Sequence, residues 1–338
     1  MKVLITGGTG YIGSHTIIEM IETGKFTPVC VDSCERSTPQ TMERIEAITG
    51  FRVPFYQRNI CDKEAFFRIF EEHKDIRGII HFAAYKSVPE SMEKPLDYYR
   101  NNLQSLENVL EACLKYNISN LIFSSSCSIY GAVEKLPVNE DTPMGVPFCP
   151  YAHTKQIGEE MIRFFTRIHP QLNAVILRYF NPVGAHISGL NGEFSPDKPN
   201  NLMPILTQVG IGKIEKLTVY GTDYDTRDGS CIRDYVHVSD IADAHIKAME
   251  FLLEKRNITN CEVFNLGSGN GVSVLEMLHA FEEITGIKLN YILGERRAGD
   301  VPAVYSDSTR AHQMLQWKCK KTLVDMVESA WKWEQHLK

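Results

Sequence analysis

The sequence predicts an α/β fold in which a doubly wound parallel sheet is followed by a smaller mixed α/β domain. Short apolar runs alternate with helical segments, and the first run leads into a glycine-rich turn. After residue 181 the composition changes, and residues 184–202 are rich in Gly, Pro and Asn with little periodicity. Alternating β and α segments form parallel sheets covered by helices. We expect a first domain over residues 1–181 and a second over 182–338, with a segment near 237–255 packing back on the first.

The first element is a strand that runs directly into glycines. Residues 2–6 are apolar and rich in β-formers, as a buried parallel strand requires. A helix is predicted over residues 14–23, with Gly24 at its C-terminal end. Between strand and helix, every third position is a glycine: Gly7, Gly10 and Gly13. Such a loop lets a pyrophosphate approach the free N–H groups of the helix N-terminus.

The second strand adds a carboxylate to this loop. Residues 28–31 are an apolar strand that ends at Asp32, about twenty residues after the glycines. A carboxylate there accepts hydrogen bonds from the two hydroxyls of an adenosine ribose and repels a 2′-phosphate. Strand, glycine loop, helix and acid form a Rossmann-type arrangement. The sequence therefore predicts bound NAD rather than NADP.

Later strands should bring further residues to the same edge of the sheet. Strands are predicted over residues 76–82, 120–126 and 174–179, and long helices over 97–116 and 150–169. Ligands of such sheets bind at the carboxyl ends of the strands. The segments expected to line one cleft there are Ala83 to Lys86, Ser124 to Ser126 and Tyr179 to Asn181.

Composition narrows the class of protein. A net charge of −6 gives no basic surface for nucleic acid, and no apolar run reaches the roughly 18 residues of a membrane span. The chain starts with a strand, so no signal peptide is expected. Its nine cysteines are scattered without a Cys-x-x-Cys pair, which is typical of a reducing compartment and predicts a cytoplasmic protein. His237 and His245 are interpreted as structural, and no metal site is predicted.

A candidate catalytic pair opens the helix predicted over 150–169. Tyr151 and Lys155 are four residues apart and therefore share one helix face. A free phenol has a pKa of about 10, and a neighbouring cation favours its ionised form, which is a strong base. A hydroxyl from the serines at 124–126 could hold a substrate oxygen beside that phenol. This serine strand disfavours the alternative, a surface Tyr and Lys on an ordinary amphipathic helix.

The chain carries the motifs of a known family. Gly-x-x-Gly-x-x-Gly at 7–13, Ser-Ser-Ser-x-x-x-Tyr-Gly at 124–131, Tyr-x-x-x-Lys at 151–155 and Arg-Asp-Tyr at 233–235 occur in this order. With them the sequence resembles the extended short-chain dehydrogenases that act on sugar nucleotides, and within these the UDP-sugar 4-epimerases. The resemblance spans essentially the whole chain, with further matches at residues 10–16, 94–99, 179–182, 200–204 and 229–238.

The resemblance implies a role for each matching residue. Tyr151 is the expected base for the sugar 4-hydroxyl, Lys155 lowers its pKa and binds the nicotinamide ribose, and Ser126 bridges the sugar O4. The residues expected around NAD are Gly7, Gly10, Tyr11, Ile12, Gly13, Asp32, Ser33, Asn59, Ile60, Phe82, Ala83, Lys86, Asn101, Tyr151, Lys155 and Tyr179. The residues expected to hold the UDP-sugar are Lys86, Ser126, Tyr151, Phe180, Asn181, Asn201, Leu202, Tyr220, Arg233, Arg297, Asp300 and Val304.

The activity that the resemblance implies is NAD-dependent epimerisation at C4 of UDP-hexoses. Tyr151 takes the O4 proton while C4 loses hydride, and the resulting 4-keto sugar turns before hydride returns to its other face. Net redox is zero, so NAD must stay tightly bound. The resemblance also implies a homodimer formed through the helices predicted at 97–116 and 150–169.

Four positions depart from the family pattern. Asn59 lacks the carboxylate with which the family contacts adenine, Ser33 is shorter than the usual Asn, and Pro89 replaces a common Gly. Val304 occupies the position that gates the sugar C2 substituent. Because its side chain is small, we expect UDP-N-acetylglucosamine and UDP-N-acetylgalactosamine to be accepted as well.

The same residues bear on three alternatives to a hexose epimerase. A UDP-pentose 4-epimerase stays open, and a non-catalytic NAD sensor is disfavoured because Ser126, Tyr151 and Lys155 are all present. A dehydratase is disfavoured because Ser126-Cys127-Ser128 contains no carboxylate to drive an elimination.

Overall fold

The computed structural model describes residues 1–194, 199–297 and 300–337. In chain order its strands are β1 (Lys2–Thr6), β2 (Thr27–Asp32), β3 (Phe55–Gln57), β4 (Ile76–His81), β5 (Asn120–Ser126), β6 (Asn173–Tyr179), β7 (Asn181–Val183), β8 (Leu217–Tyr220), β9 (Ile232–His237), β10 (Cys261–Leu266), β11 (Gly271–Ser273), β12 (Tyr291–Gly294) and β13 (Ala303–Val304).

The α-helices of the described residues cover both faces of the main sheet and build most of the second half. They are α1 (Tyr11–Glu22), α2 (Gln40–Thr49), α3 (Lys63–Glu72), α4 (Val88–Glu93), α5 (Pro95–Lys115), α6 (Pro150–Ile168), α7 (Leu202–Gly210), α8 (Val238–Leu253), α9 (Val274–Thr285) and α10 (Leu323–His336). A 3₁₀ turn at Cys127–Tyr130 and a π-helical turn at Ala311–Leu315 complete the set.

The main sheet has seven parallel strands in the order β3-β2-β1-β4-β5-β6-β10. The direction of winding reverses between β1 and β4, which creates a crevice at their carboxyl ends. The predicted doubly wound parallel sheet is therefore confirmed.

Side chains that alternate along β1 separate two apolar cores. Val3 and Ile5 face a core that includes Ile17 of α1 and Met249 of α8, whereas Leu4 faces a core with Phe66 of α3. This alternation is the period of a strand that is buried on both faces. Helix α8 packs against α1 and strand β10 pairs with β6, so residues 238–266 lie with the main sheet. The division into 1–181 and 182–338 stays a prediction.

The second half of the chain carries two smaller sheets. Strand β9 is central in one of them, with β11 antiparallel to it and β7 and β13 parallel to it. Strands β8 and β12 form a parallel pair. A third apolar core joins α7, α9 and α10 to these strands, as the side chains of Leu206, Phe281 and Val327 show. The predicted smaller mixed α/β part is confirmed.

Helix boundaries differ from the predictions at glycine and proline. Helix α1 begins at Tyr11 rather than at residue 14, since its first turn accommodates Gly13. Helix α5 begins at Pro95, because proline fits the first turn of a helix. The short helix α4 was not predicted; Pro89 lies in its first turn, where the missing N–H costs nothing.

The stretch predicted to be loop-rich, 184–202, contains residues 195–198, which lie outside the described residues. Its described part has an isolated bridge between Ala185 and Gly192 and no regular helix or strand before α7. Within residues 1–194, 199–297 and 300–337, none of the helices combines the length and apolarity that crossing a membrane requires.

Candidate active site

The glycine loop is shaped by close backbone contacts. Gly7 donates to the Val31 carbonyl at 2.8 Å and has φ +72, and a side chain on it would meet the Ala83 nitrogen at 2.7 Å. A side chain on Gly13 would collide with the Gly7 carbonyl oxygen. Gly10 is the N-cap residue of helix α1, which has no side-chain cap and no acid in its first turn. Its free N–H groups therefore face outward from a loop with no Cβ atoms in the way, which fits a pyrophosphate.

Asp32 is held at the end of β2 by backbone donors. One carboxylate oxygen accepts from the Thr9 N–H at 3.1 Å, and the other accepts from the Cys34 N–H at 2.9 Å. The Ser33 hydroxyl turns back to accept from the Glu35 N–H at 3.3 Å. Fixed carboxylate oxygens next to the glycine loop fit the hydroxyls of an adenosine ribose.

The other residues predicted around NAD also lie at the carboxyl ends of the strands. Asn59 and Ile60 follow β3, Phe82 and Ala83 follow β4, and Tyr179 ends β6. The loop after β4 is tied down by Asn102, which accepts from the Tyr85 N–H at 2.8 Å and from the Asn101 amide at 3.0 Å. Together with the glycine loop and Asp32, these residues come from the carboxyl ends of five strands and from α5.

Tyr151 and Lys155 lie in the first turns of α6. Pro150 occupies the first turn, and the Cys149 sulfur caps the helix by accepting from the Ala152 N–H at 3.4 Å. The Ser126 side chain lies beside the Tyr151 phenol and lowers its pKa, and the Tyr179 phenol is near enough to Tyr151 to have its own pKa raised by it. The three predicted catalytic groups and Tyr179 are therefore assembled at the ends of β5 and β6.

The electrostatic balance at Tyr151 differs from the prediction. Burial raises the pKa of Tyr151 to about 12, and the hydrogen bond from Ser126 opposes this only in part. The Lys155 ammonium donates to the Ser124 carbonyl at 2.7 Å, and burial lowers the pKa of Lys155 to about 8. Lys155 is not among the groups that shift the pKa of Tyr151, so desolvation dominates in the protein alone.

Lys155 is held by a buried polar layer beneath the site. Its ammonium lies 4.9 Å from the centre of the Phe123 ring. One helical turn further, Glu159 accepts from the Ser125 hydroxyl at 2.6 Å and from the Arg178 guanidinium at 2.6 Å. This ion pair could not be identified from the sequence, because Glu159 lies on α6, Arg178 lies on β6, and the two share no motif.

A basic cluster stands in the second half, near the end of β8. Arg233 and Arg297 approach the same oxygen of Asp300, at 3.5 Å and 3.0 Å. The Arg297 guanidinium lies 5.9 Å from the centre of the Tyr220 ring, which is 48% exposed. Two guanidinium groups beside an exposed aromatic ring can bind a pyrophosphate and stack on a flat base. Sequence-predicted Tyr220, Arg233, Arg297 and Asp300 are thus brought together.

Glu193 links two other predicted residues, although no sequence motif points to it. Its carboxylate accepts from the Lys86 ammonium at 3.0 Å and from the Asn201 amide at 2.7 Å. Asn201 precedes Leu202, the first residue of α7. Nearby, the Tyr11 hydroxyl donates to the Gly184 carbonyl at 2.5 Å. A single carboxylate in an irregular loop has no periodicity or motif that would identify it.

Val304 and Phe180 share a small apolar cluster beside Arg233. Val304 is buried, pairs with Arg233 across β13 and β9, and packs in a cluster with Phe180, Ile129 and Tyr130. Asn181 follows Phe180 and pairs with Tyr235 in the same small sheet. Asn181, Arg233 and Val304 therefore lie in the same small sheet.

In the ranges that the structure describes, no three His, Cys, Asp or Glu side chains are arranged to hold a metal ion. His237 caps α8 by accepting from the Ser239 N–H at 3.1 Å, and His245 contacts the Ser124 hydroxyl at 3.1 Å. Burial lowers the pKa of both imidazoles to about 4. Both are therefore neutral at pH 7.

Two features together define the class of protein. The glycine loop is followed by Asp32 at the end of the next strand, and Tyr151 and Lys155 lie beside the ends of β5 and β6. These are the features of a dinucleotide-dependent enzyme of the Rossmann type. A family model supports this class: the chain belongs to the NAD dependent epimerase/dehydratase family, whose model matches residues 3–267.

Relatives and solved structures are similar over nearly the full length. The UDP-glucose 4-epimerase of Yersinia enterocolitica is 45% identical over 336 residues, which cover 99% of this chain and 98% of that protein. The crystal structure of the Stenotrophomonas maltophila UDP-glucose-4-epimerase with bound NAD and formylated UDP-arabinopyranose has a TM-score of 0.96 and 39% identity, covering 100% of this chain and 98% of that one. The Bifidobacterium longum UDP-glucose 4-epimerase in complex with NAD+ and UDP has a TM-score of 0.94 and 40% identity, covering 99% and 98%.

These similarities confirm the resemblance inferred from the motifs. They also confirm NAD as the cofactor, since the family is NAD dependent and both structural neighbours contain it. The glycine loop, the uncapped N-terminus of α1 and Asp32 fit that cofactor.

Proposed function

We propose that this protein catalyses epimerisation at C4 of UDP-hexoses, interconverting UDP-galactose and UDP-glucose. The observation that carries the proposal is the group of half-buried Tyr151 and Ser126 with buried Lys155 at the ends of β5 and β6. The solved relatives that contain UDP or a UDP-sugar add support for the substrate class. A redox cofactor and a base at one carbon suit an epimerisation with no net redox change.

The protein residues handle the proton and the orientation of the sugar. Tyr151, as phenolate, takes the proton of the sugar 4-hydroxyl, and Ser126 holds the same oxygen by a hydrogen bond. Bound NAD supplies a ring that accepts the hydride of C4 and returns it, and whose positive charge favours the phenolate. Lys155 is mostly protonated at pH 7, because its pKa is about 8, and it adds positive charge on the same side. The 4-keto sugar then turns so that its opposite face is reduced.

The 4-keto sugar can turn because the UDP part of the substrate, and not the sugar, is held by the protein. Arg233 and Arg297 bind the pyrophosphate and Tyr220 lies against the uracil, so the binding energy comes from groups that do not react. Few fixed contacts to the hexose are then required. Each turnover returns NAD to its starting state, so NAD does not have to leave the protein and stays tightly bound.

Incubation of the purified protein with UDP-galactose, without added NAD, tests the proposal. UDP-glucose should appear in amounts far above the amount of enzyme, with no net accumulation of NADH. Conversion of UDP-arabinose alone would assign the pentose reaction instead. Bound NAD without turnover of any of these UDP-sugars would contradict an epimerase and favour a sensor.

We further propose that N-acetylated UDP-hexosamines are substrates, because Val304 is small and adjoins Phe180 and Arg233. Replacing Val304 with Tyr should lower kcat/KM for UDP-N-acetylgalactosamine about 100-fold more than for UDP-galactose, since the larger ring takes the space of the acetyl group. Val304→Ala is the control and should keep both activities. Equal losses for the two substrates in Val304→Tyr would count against a gating role.

A homodimer through α5 and α6 is also proposed. Phe164 and Ile168 on α6 are 56% and 66% exposed, and Leu96 on α5 is 62% exposed. Such apolar side chains on neighbouring helices suit a buried interface. Phe164→Asp should convert the dimer to a monomer in sedimentation equilibrium, because it places a charge in the apolar contact. Ile258→Asp, at an 82% exposed site outside these helices, should leave the dimer intact. A wild-type protein that sediments as a monomer at every concentration would rule this interface out.

A cytoplasmic location completes the proposal. All nine cysteines, each within the described residues, are free thiols, which suits a reducing compartment.

A further inference from the structure

Three loops at the adenosine end of the crevice meet at one carboxylate. Glu35, in the loop after β2, accepts from the Asn59 amide at 3.2 Å and from the Tyr85 hydroxyl at 2.5 Å. Asn59 follows β3 and Tyr85 follows β4. The cofactor site described above does not include Glu35, yet this residue joins the loops that frame it.

The adenine of NAD must lie near this carboxylate. Asp32, at the end of β2, faces the adenosine ribose in this class of fold. The resemblance to the epimerase family places the adenine at position 59, and Asn59 follows β3, the outer strand that pairs with β2. Both Glu35 and Asn59 therefore border the space for the purine.

Position 59 is Asn in this chain, whereas the family has a carboxylate there that accepts from the adenine amino group. The Asn59 amide oxygen already accepts from the Cys61 N–H at 2.9 Å, and its amide nitrogen donates to Glu35. Asn59 is thus turned so that its donor side faces Glu35. A carboxylate has about four acceptor sites on its two oxygens. Among the described residues, the Asn59 amide and the Tyr85 hydroxyl donate to one Glu35 oxygen each, so acceptor sites remain for a ligand.

We propose that Glu35 is the residue that accepts the adenine amino group of NAD, so that the carboxylate missing at position 59 is supplied from the neighbouring loop. A carboxylate accepts a strong hydrogen bond from the adenine amino group. It cannot accept one from the oxygen that replaces this amino group in nicotinamide hypoxanthine dinucleotide. The inference rests on NAD as the cofactor and not on the sugar that reacts.

Neighbouring side chains hold Tyr85, which donates to Glu35. The Arg36 guanidinium lies 4.9 Å from the centre of the Tyr85 ring and pairs with Glu90 at 2.6 Å. Burial, together with the hydrogen bond to Glu35, raises the pKa of Tyr85 to about 12, so its hydroxyl stays a donor at neutral pH. A cavity of about 290 Å³ adjoins the two residues that donate to Glu35: it is lined by Asn59 and Tyr85, with Arg36 among others, while Glu35 itself does not line it.

Binding to the cofactor-free protein tests the proposal without any sugar substrate. The wild-type protein should bind NAD about tenfold more tightly than nicotinamide hypoxanthine dinucleotide, measured by isothermal titration calorimetry. Glu35→Ala should weaken NAD binding and remove most of this preference. Glu46→Ala, which deletes an exposed acid on α2, is the matched control and should change neither affinity.

A relocated carboxylate makes the test specific. In the double variant Glu35→Ala/Asn59→Asp the acceptor returns to position 59, and the preference for NAD over the hypoxanthine analogue should recover. If Glu35→Ala impairs folding, Glu35→Gln keeps the size of the side chain and should lower the preference in the same direction. An unchanged preference in a folded Glu35 variant would overturn the proposal, even if that variant still epimerised UDP-sugars.

Discussion

Replacing Tyr151 with Phe is expected to lower kcat by about 10²- to 10⁴-fold while the affinity for UDP changes by no more than about twofold. The variant removes one hydroxyl and keeps the ring. Since the Ser126 hydrogen bond and the predicted base both depend on that hydroxyl, proton removal from the sugar should fail. The basic cluster of Arg233 and Arg297 is untouched, so UDP should still bind.

The pKa of Tyr151 leads to a second expectation, about the ionisation of its phenol. Burial raises that pKa to about 12 in the protein alone, so the phenol is protonated at neutral pH without its cofactor. Lowering it requires positive charge in a site of low dielectric constant, where charges interact more strongly than in water. The absorbance of phenolate should therefore show no Tyr151 ionisation at pH 7 in the cofactor-free protein. A change at that pH on adding NAD should be lost in Tyr151→Phe.

Tyr116→Phe is the matched control. The Tyr116 hydroxyl is buried without a hydrogen-bond partner among the described residues, and it lies at the end of α5. Its removal makes the same chemical change away from the crevice and should leave kcat within about twofold. If Tyr151→Phe kept full activity, Tyr151 could not be the base; if it also lost UDP affinity, its effect would not be limited to the chemical step.

The fold was predictable wherever burial dictates a sequence pattern. Strand β1 and strand β5 lie where the apolar runs placed them, because a strand buried on both faces must be apolar along its length. The glycine loop was predictable for a similar reason, since Gly7 and Gly13 have no space for a side chain. Tyr151 and Lys155 could be paired because helix geometry fixes the neighbours of each residue.

Contacts between distant loops could not be predicted. Glu193 meets Lys86 from 107 positions away, and Glu35 meets Tyr85 from 50 positions away. Such contacts depend on how the strands are ordered in the sheet, which local patterns do not encode. The same holds for Lys155: its spacing from Tyr151 was evident, but its hydrogen bond to the Ser124 carbonyl depends on how α6 docks on β5.

The buried pair of Arg178 and Glu159 should carry the largest stability effect. Their side chains are 2% and 0% exposed, with an N–O distance of 2.6 Å. Burial is the largest single influence and lowers the pKa of Arg178, but the hydrogen bonds and charge interactions with Glu159 and Tyr130 together outweigh it and raise the pKa, so the guanidinium stays charged. Arg178→Met leaves Glu159 buried without its partner and should cost about 3–5 kcal/mol of unfolding free energy.

A double variant separates charge from packing. In Arg178→Met/Glu159→Met both charges are gone, and most of the lost stability should return, because apolar replacement of a buried ion pair is often near neutral. Lys63→Met is the control, as it breaks an ion pair with Glu111 whose side chains are 49% and 44% exposed, and should cost less than about 1 kcal/mol. Urea denaturation gives all three values.

The position of the pair connects stability to the site. Glu159 lies one turn after Lys155 on α6, and Ser125 donates to it from the strand that carries Ser126. Losing Arg178 should therefore loosen the docking of α6 on β5 and β6 and lower kcat as well as stability, whereas the double variant should regain both. If the double variant were as unstable as Arg178→Met, the loss would come from packing of the long side chain rather than from an unpaired buried carboxylate, and the electrostatic account of this layer would be wrong.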